Sequence, residues 1–374
     1  RAPHNWLEPI TALAALAGAT ERIGLIATAS TTYSEPFNLA RQFASIDHMS
    51  GGRVGWNIVT SWSTAAAGNF GDTRQVSHAE RYERAEEFVA VVKGLWDSWA
   101  DDAIVDDRAS GEYAKADRIR PLDHVGAYYR VAGPLNTPRG PQGRPVLVQA
   151  GSSETGRAFA ARHAEAIFTA QMERGTAAAF YADIKARAAA EGRPADQVVV
   201  LPGLAPMIGS SEAEAQRLAE ELNALADPEV GRKRLSGRFG GYDFSHLDLD
   251  TPLRVEDFPD TETVEAARSR TELIVGLVER EGLTLRQLLT HMAQARGHYS
   301  FVGTPEQLAD LMEDWLMGGV ADGFNLMPPV LPWMLDVFVA EVVPLLQKRG
   351  IFRTSYEGPM LRDHLGLERP TDGW

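Results

Sequence analysis

The sequence predicts an α/β fold, a TIM (β/α)8 barrel with insertions. Short apolar stretches typical of strands alternate with amphipathic helical stretches, the order expected for parallel strands joined by crossover helices. The strand stretches are apolar along their whole length, which indicates strands covered on both faces. Six strand–helix units are evident in the 374 residues, whereas a closed barrel has eight. Either the sheet is open or the first two strands precede Arg1, and the second alternative is favoured because the first element is a helix.

The predicted strands are short and apolar, and they end in small or polar residues. They cover residues 22–30, 52–61, 145–151, 166–171, 198–209 and 323–329. The helices between them are predicted from apolar residues spaced three and four apart and from start signals. Pro9 and Pro36 stand in first turns, while Thr304 and Gln307 have the pattern of a capping box. The predicted helical ranges are 8–20, from Pro36, 78–98, from about Ser153, 175–191, from Ser211, 261–281, 284–294, after Thr304, and 332–349.

Two stretches interrupt this alternation within what we expect to be one barrel domain, residues 1–374. Residues 101–144 are rich in charge, glycine and proline, and we expect short strands near Tyr128–Val131. Residues 228–302 form the second insertion, with an irregular first half followed by the helices at 261–281 and 284–294.

The composition excludes several classes of function. A formal net charge of −14 disfavours nucleic acid and anionic membrane surfaces as partners. The absence of cysteine excludes disulfides, thiolate nucleophiles and cysteine-ligated metals. No apolar run approaches the roughly 18 residues of a membrane span, so we expect a cytoplasmic protein.

The carboxyl ends of the predicted strands carry uncharged residues, most of them with hydroxyl or amide groups, and in a parallel barrel these ends meet at the active site. The set comprises Thr28, Ser30, Thr31, Thr32, Asn57, Thr60, Ser61, Ser152, Ser153, Thr169, Gln171, Asn325 and Met327. It contains no carboxylate pair of the kind used in glycoside hydrolysis and no metal-ligand cluster. A large, flat, polar-edged cofactor with its own reactivity, such as a flavin, suits this lining.

Individual motifs leave alternatives open. GSSETGR at 151–157 offers backbone N–H groups, two hydroxyls and a helix dipole to a phosphate, with Arg157 one turn further, but an ordinary serine N-cap has the same pattern. His78 and Tyr82 are spaced i, i+4, as for stacking on a ring or for a half-buried helix entrance. Trp62 is either a pocket wall or core packing. His298 is either a pocket residue or a structural histidine.

Four segments in this order resemble the nitrilotriacetate monooxygenase component A group of the bacterial-luciferase-like flavin monooxygenases. They are ATERIGLIATASTTYSEPFNLARQFASIDHMSGGRVGWNIVTSW, HAERYERAEEFVAVVKGLWDSW, GRPVLVQAGSSETGR and FVGTPEQLAD. The group includes dibenzothiophene-sulfone and long-chain-alkane monooxygenases. The resemblance implies a TIM barrel with insertions, with 228–302 as a substrate lid.

By motif match, the resemblance implies that Thr28, His78, Tyr82, Ser152 and Ser153 bind FMN. Asn57 and His298 are further pocket candidates, and no metal is expected. The implied reaction inserts one oxygen atom from O2 into a small organic substrate via a peroxyflavin, with reduced FMN (FMNH2) supplied by a separate NAD(P)H:flavin reductase. Relatives of this kind form homodimers or homotetramers. The alternatives are a deazaflavin-dependent oxidoreductase of the same fold and a flavin-binding relative without activity.

Overall fold

The computed structural model describes residues 7–61, 64–71, 76–260, 268–294 and 297–374. Its strands are β1 (Leu25–Ser30), β2 (Val54–Val59), β3 (Ile104–Asp107), β4 (Glu112–Ala114), β5 (His124–Val125), β6 (Arg130–Val131), β7 (Val146–Gln149), β8 (Ala166–Thr169), β9 (Val199–Ile208), β10 (Tyr299–Gly303) and β11 (Asn325–Leu326). All six predicted strands are present, although the last is reduced to two residues.

The α-helices are α1 (Pro9–Ala19), α2 (Pro36–Ser50), α3 (Thr64–Ala67), α4 (His78–Trp96), α5 (Glu154–His163), α6 (Arg174–Ala190), α7 (Glu212–Ala224), α8 (Pro228–Arg238), α9 (Arg268–Glu281), α10 (Leu285–Gln294), α11 (Pro305–Met317), α12 (Trp333–Val337), α13 (Val343–Lys348) and α14 (Leu361–Leu365). A π-helical turn at Phe338–Val342 joins α12 to α13. The capping box of Thr304 and Gln307 is confirmed at the start of α11. Within the described residues, no helix is long and apolar enough to span a membrane.

The central sheet is parallel and is covered by helices, an α/β fold of the TIM-barrel type. Its strand order is β1, β2, β7, β8, β9 and β10, with β11 also paired to β9. The register sets Thr28 beside Asn57 on β1 and β2, and Asn325 beside Gly203 on β11 and β9. Paired residues of neighbouring strands lie on the same face of the sheet. The register therefore brings Thr28 and Asn57 to one face.

Two elements of the second insertion differ from prediction. Tyr299–Gly303 was expected inside the insertion but is β10, a parallel neighbour of β9. Pro228–Arg238 was expected to be irregular but is helix α8. Asp227 caps this helix, and its side chain accepts from Glu229 N at 2.9 Å. The insertion packs around its own apolar cluster, which contains Leu235, Phe239, Phe244, Leu253, Phe258, Ile274, Leu277, Val278, Leu283, Leu285, Leu288 and Leu289.

The first insertion consists of two short antiparallel hairpins, β3–β4 and β5–β6. The carboxylate of Glu87 in α4 fixes the second hairpin. It accepts hydrogen bonds from the backbone N–H groups of Tyr128 (3.0 Å) and Tyr129 (2.8 Å) and lies 2.9 Å from His124 Nε2. The predicted strands near Tyr128–Val131 therefore exist and are tied to α4.

The amino-terminal end of the sheet is closed by the last residues of the chain. Leu361 and Leu367 pack with Val146, Val148 and Ala166 in one buried cluster. Leu361 N donates to Gly52 O, just before β2. The buried guanidinium of Arg362 pairs with Glu165 at 2.6 Å. The polar residues of the candidate site lie at the opposite, carboxyl-terminal end of the strands.

Candidate functional site

Two aromatic residues begin α4 close to the carboxyl end of β2. Ser77 caps this helix, with its Oγ accepting from Glu80 N at 3.2 Å. His78 and Tyr82 are one turn apart, and their ring centroids are separated by 4.8 Å. The His78 side chain is exposed, whereas Tyr82 is buried. The pair thus presents one accessible and one enclosed ring on a single helix face.

The phenol of Tyr82 joins two other parts of the site. Its side chain is hydrogen-bonded to Thr60, which follows β2, and to Ser153, which precedes α5. Burial raises the pKa of the Tyr82 phenol, and these hydrogen bonds only partly oppose that effect. The phenol is therefore neutral at physiological pH and remains a hydrogen-bond donor.

Ser153 is the N-cap of α5, and its Oγ accepts from Gly156 N at 3.1 Å. The turn is packed tightly. A Cβ on Gly156 would lie 3.0 Å from both the Tyr82 hydroxyl and Ser153 Oγ, and a Cβ on Gly151 would lie 3.0 Å from Gly156 Cα. Gly156 thus leaves room for the Tyr82 hydroxyl, and Gly151 lets the backbone of the turn approach Gly156. Ser152 lies beside the cap and is half-buried.

Arg157 contributes less to this turn than the sequence suggested. Its guanidinium lies 2.9 Å from Glu154 and 3.1 Å from Asp183. The same two carboxylates also pair with Arg187, so the four groups together are neutral and Arg157 is held in that cluster. The positive potential at this turn comes from the N–H groups and dipole of the ten-residue helix α5.

Asn57 and Thr28 form the second polar pair of the site. Asn57 Nδ2 donates to Thr28 Oγ1 at 2.9 Å across the β1–β2 ladder. Asn57 Oδ1 is buried and has no hydrogen-bond partner among the residues that the structure describes. A buried amide oxygen without a partner costs free energy unless a ligand or water donates to it. This oxygen is therefore an acceptor available to a bound molecule.

A pair of hydroxyls ties together the loops that follow β1 and β2. Ser61 Oγ donates to Ser30 Oγ at 2.7 Å, and Thr32 N donates to the same oxygen at 3.1 Å. Trp62 lies outside the described residues.

Thr169 does not join the site, because on β8 it shares a face with Ile167, which packs against the outer helices. The side-chain amide of Gln171 donates a hydrogen bond to Thr169 Oγ1 at 2.9 Å.

His298 is buried on the inner face of the sheet, away from Asn57. Its ring stacks on Phe168 of β8, with centroids 5.0 Å apart and planes 14° apart. A Cβ on Gly203 would lie 2.3 Å from His298 Nδ1, so this strand position accommodates the imidazole only as glycine. In the strand order, β7 separates β8 from β2. His298 therefore contacts β8 and β9, whereas Asn57 lies on β2.

Sequence reasoning missed Phe159, the residue of α5 that packs on the enclosed tyrosine. The rings of Phe159 and Tyr82 meet edge to face, with centroids 5.6 Å apart. The available signal was the apolar face of α5, since Phe159 follows Gly156 by three residues on the side turned toward α4.

Comparison with known proteins places the chain in a family. The model of the luciferase-like monooxygenases matches residues 2–322. The chain is 50% identical to N-acetyl-S-(2-succino)cysteine monooxygenase of Bacillus subtilis (strain 168) over 98% of its length and 82% of that protein. It is also 50% identical to nitrilotriacetate monooxygenase component A of Aminobacter aminovorans, over 98% of this chain and 80% of that one.

Among solved structures, the chain is similar to a riboflavin lyase with modified FMN and riboflavin. The TM-score is 0.86 and the identity 35%, with 98% of this chain and 80% of that chain covered. The predicted group and the predicted enzyme class, a flavin-dependent monooxygenase, are confirmed by these matches. The chain belongs to the luciferase-like monooxygenase family.

Proposed function

We propose that this chain is the oxygenase component of a two-component monooxygenase that uses reduced FMN, O2 and a small organic substrate. The hydrogen bonds that join the Tyr82 phenol to Thr60 and Ser153 support this proposal most directly. They bring an aromatic pair, a strand end and a helix N-terminus together at the carboxyl end of a parallel sheet, where barrel enzymes bind their ligands.

The residues present fit FMN. The N-terminus of α5, with the Ser152 and Ser153 hydroxyls, suits a terminal phosphate. The buried Asn57 Oδ1, which lacks a partner among the described residues, suits a donor group on a polar-edged ring. Thr28, His78 and Tyr82 would complete the contacts. When bound, reduced FMN would supply the two electrons that split O2 into one oxygen atom for the substrate and one for water.

The side chains of this site would orient the cofactor rather than exchange protons with the substrate. Tyr82 stays neutral, and Asn57, Thr28, Ser152 and Ser153 carry no charge. Their role is to hold the ring system and the phosphate, and to replace water around them. No acid or base is assigned, and the sequence candidates Asn57 and His298 remain candidates for contact with the substrate.

We further propose that the second insertion is the lid that selects the substrate. A small cavity of about 20 Å³ is lined by Met172, just past β8, and by Arg238, Leu277 and His291 of the insertion. The insertion therefore reaches the carboxyl end of the sheet. This cavity has room for about one water molecule, so the choice of test compounds rests on the names of the two relatives above. N-acetyl-S-(2-succino)cysteine and nitrilotriacetate are therefore the first compounds to test.

A separate flavin reductase is part of the proposal. The relative from Aminobacter aminovorans is named as component A of its monooxygenase, which indicates that this enzyme has a further component. A homodimer or homotetramer is the proposed assembly, and sedimentation of the purified protein tests it.

The decisive experiment supplies the chain with FMN, NADH and a generic flavin reductase under ¹⁸O2 and analyses candidate compounds by mass spectrometry. The proposal predicts a product that contains one ¹⁸O atom more than the starting compound and that does not form without the reductase. A reaction with reduced deazaflavin under nitrogen, with none under O2, would instead favour the hydride-transferring alternative. Binding of FMN without any product from a broad set of compounds would favour a non-catalytic relative.

A further inference from the structure

Helices α4 and α5 are joined by a partly buried chain of hydrogen bonds, one turn further along each helix than the Tyr82–Phe159 contact. His163, the last residue of α5, lies with Nε2 2.5 Å from Glu86 Oε2 of α4. On the other side of the ring, Lys93 Nζ of α4 lies 3.3 Å from His163 Nδ1. The His163 side chain is 11% exposed. One imidazole therefore connects a carboxylate and an ammonium group that both belong to the neighbouring helix.

A row of aromatic contacts leads from this chain to the site. The ring of His163 contacts Phe159 with centroids 4.9 Å apart, and Phe159 contacts Tyr82 at 5.6 Å. On α4, Tyr82 and Glu86 are one turn apart, as Phe159 and His163 are on α5, so each pair lies on a single helix face. The same two helices carry the proposed cofactor contacts at their N-termini.

The donors and acceptors of the chain can be assigned from charge. Burial acts to raise the pKa of Glu86, but the hydrogen bond from His163 and the charge and hydrogen bond of Arg162 act to lower it, and the pKa is lowered overall, so Glu86 is an ionised acceptor. His163 Nε2–H must then be the donor to Glu86, which leaves Nδ1 as the acceptor that faces Lys93. The imidazole is neutral in this arrangement.

Burial and the neighbouring charges act against a proton on His163. Burial lowers its pKa and the charges of Lys93 and Arg162 add to that effect, although Glu86 opposes them. Burial and the charge of Arg144 lower the pKa of Lys93 to about 8, so the amine is mostly protonated at neutral pH. The other charged groups near this chain are Glu165, Arg193 and Asp97, which act on Lys93, and Glu191, which pairs with Arg162.

We propose that His163 is a positioning residue for the flavin site: by linking Glu86 and Lys93 it sets the placement of α5 against α4, and with it that of Ser153 against Tyr82. The inference rests on the proposed function, because the consequence is affinity for FMN. A proton on Nδ1 removes the acceptor for Lys93 and places two cations side by side. As the pH falls, protonation breaks the contact with Lys93 and keeps the contact with Glu86, so the imidazole no longer bridges the two groups of α4. We expect flavin affinity to fall as this bridge is lost.

The chain offers a matched control on the same helix. His124 Nε2 lies 2.9 Å from Glu87 Oε1, so Glu87 makes a histidine–carboxylate contact like that of Glu86, but toward the first insertion instead of α5. His163→Gln and His124→Gln each replace an imidazole by an amide, which does not titrate and lacks the two separated ring nitrogens that let His163 bridge Glu86 and Lys93. Only the first should affect the proposed flavin site.

The test is a titration of both variants and the wild type with oxidised FMN at several pH values between about 5.5 and 8. Quenching of flavin fluorescence measures the binding. At pH near 7.5 we expect His163→Gln to raise the Kd for FMN about fivefold, the scale of one lost hydrogen bond, with His124→Gln unchanged. The FMN phosphate itself takes up a proton near pH 6, so variants are compared at each pH. Affinity should fall less steeply on acidification in His163→Gln than in the wild type.

A second measurement is independent of flavin. Amide hydrogen exchange at Gly156, whose N–H is held by the Ser153 cap, should be faster in His163→Gln than in His124→Gln and the wild type. Unchanged exchange at Gly156 overturns the positioning role, as does an FMN Kd and pH profile equal to those of the wild type. If the wild type binds no FMN, the proposed function fails and exchange alone decides the positioning role. If His163→Gln does not fold, Glu86→Gln takes its place in both measurements.

Discussion

The phenol of Tyr82 and the side chain of Ser153 are hydrogen-bonded, although they begin two different helices. Ser153 also accepts from Gly156 N at 3.1 Å and so caps its own helix. One hydroxyl therefore stabilises α5 and takes part in the contact between α4 and α5. A substitution of Ser153 therefore removes both the helix cap and the contact with Tyr82, whereas a substitution of the Tyr82 hydroxyl leaves the cap in place.

Ser153→Ala should weaken FMN binding by about 1–2 kcal/mol, because it removes a hydroxyl from the turn proposed to hold the phosphate. Loss of the cap alone should cost about 1 kcal/mol of stability. Ser211→Ala is the matched control, since Ser211 caps α7 in the same way, accepting from Glu214 N. Calorimetric titration with FMN measures the difference. An equal affinity for FMN in the two variants would contradict the assignment of the phosphate site to this turn.

Tyr82→Phe should keep the ring and its contact with Phe159 but lose the hydrogen bonds to Thr60 and Ser153. We expect a several-fold rise in the Kd for FMN, since one or two buried hydrogen bonds are lost, and more hydrogen peroxide released per NADH consumed. Tyr181→Phe serves as the control, because that phenol donates to Asp322 at 2.9 Å on another part of the molecule. Peroxide yield equal to that of the wild type, with unchanged affinity, would refute the role of Tyr82.

Asp47→Asn should stabilise the protein above neutral pH. Asp47 is fully buried and accepts from Gln142 Nε2 at 2.7 Å, and burial raises its pKa to about 6. The folded state holds this proton more tightly than the unfolded chain does, so the free energy of unfolding decreases as the pH rises from about 4 to about 6. Above pH 7 we expect the variant to be more stable by on the order of 2 kcal/mol, with the difference vanishing near pH 4.

Urea unfolding at several pH values tests the effect of Asp47→Asn, with the exposed Asp196→Asn as the control. A difference from the wild type that is constant over pH would show that the substitution acts through packing and not through the titration of Asp47.

Removal of metal ions should leave turnover unchanged. Among the described residues, no group of three or more His, Asp or Glu side chains is arranged to hold a metal ion. The chelator 1,10-phenanthroline suits the test, because it has no carboxylate and does not resemble the proposed substrates. Loss of activity that added zinc restores would contradict the expectation.

Much of the fold could be predicted because each barrel element carries its own local signal. Pro36 and the Thr304–Gln307 box mark helix starts, and the apolar runs of β2 and β7 mark buried strands. Helix α8 was missed because it is charge-rich and has two glycines, Gly231 and Gly237, with no apolar stripe. Its start signal, Asp227 followed by Pro228, was present in the sequence.

The contacts of the site were less predictable from residue patterns. Neutral strand ends indicated a cofactor site, and the resemblance to a family singled out Tyr82 and Ser153. Neither showed that these two side chains touch, because their contact depends on how α4 packs against α5. The pairing of Arg157 with Asp183 could not be predicted for the same reason, since α6 supplies the carboxylate.

The closure of the sheet by Leu361, Arg362 and Leu367 has a consequence for biosynthesis. The apolar residues Val146 and Val148 of β7 and Ala166 of β8 become buried only after Leu361 and Leu367 have left the ribosome. The ion pair between Glu165 and Arg362 likewise forms only after residue 362 has been synthesised. A nascent chain halted near residue 350 would therefore expose apolar side chains at this end of the sheet, and Glu165 would lack its Arg362 partner until residues 361–367 emerge.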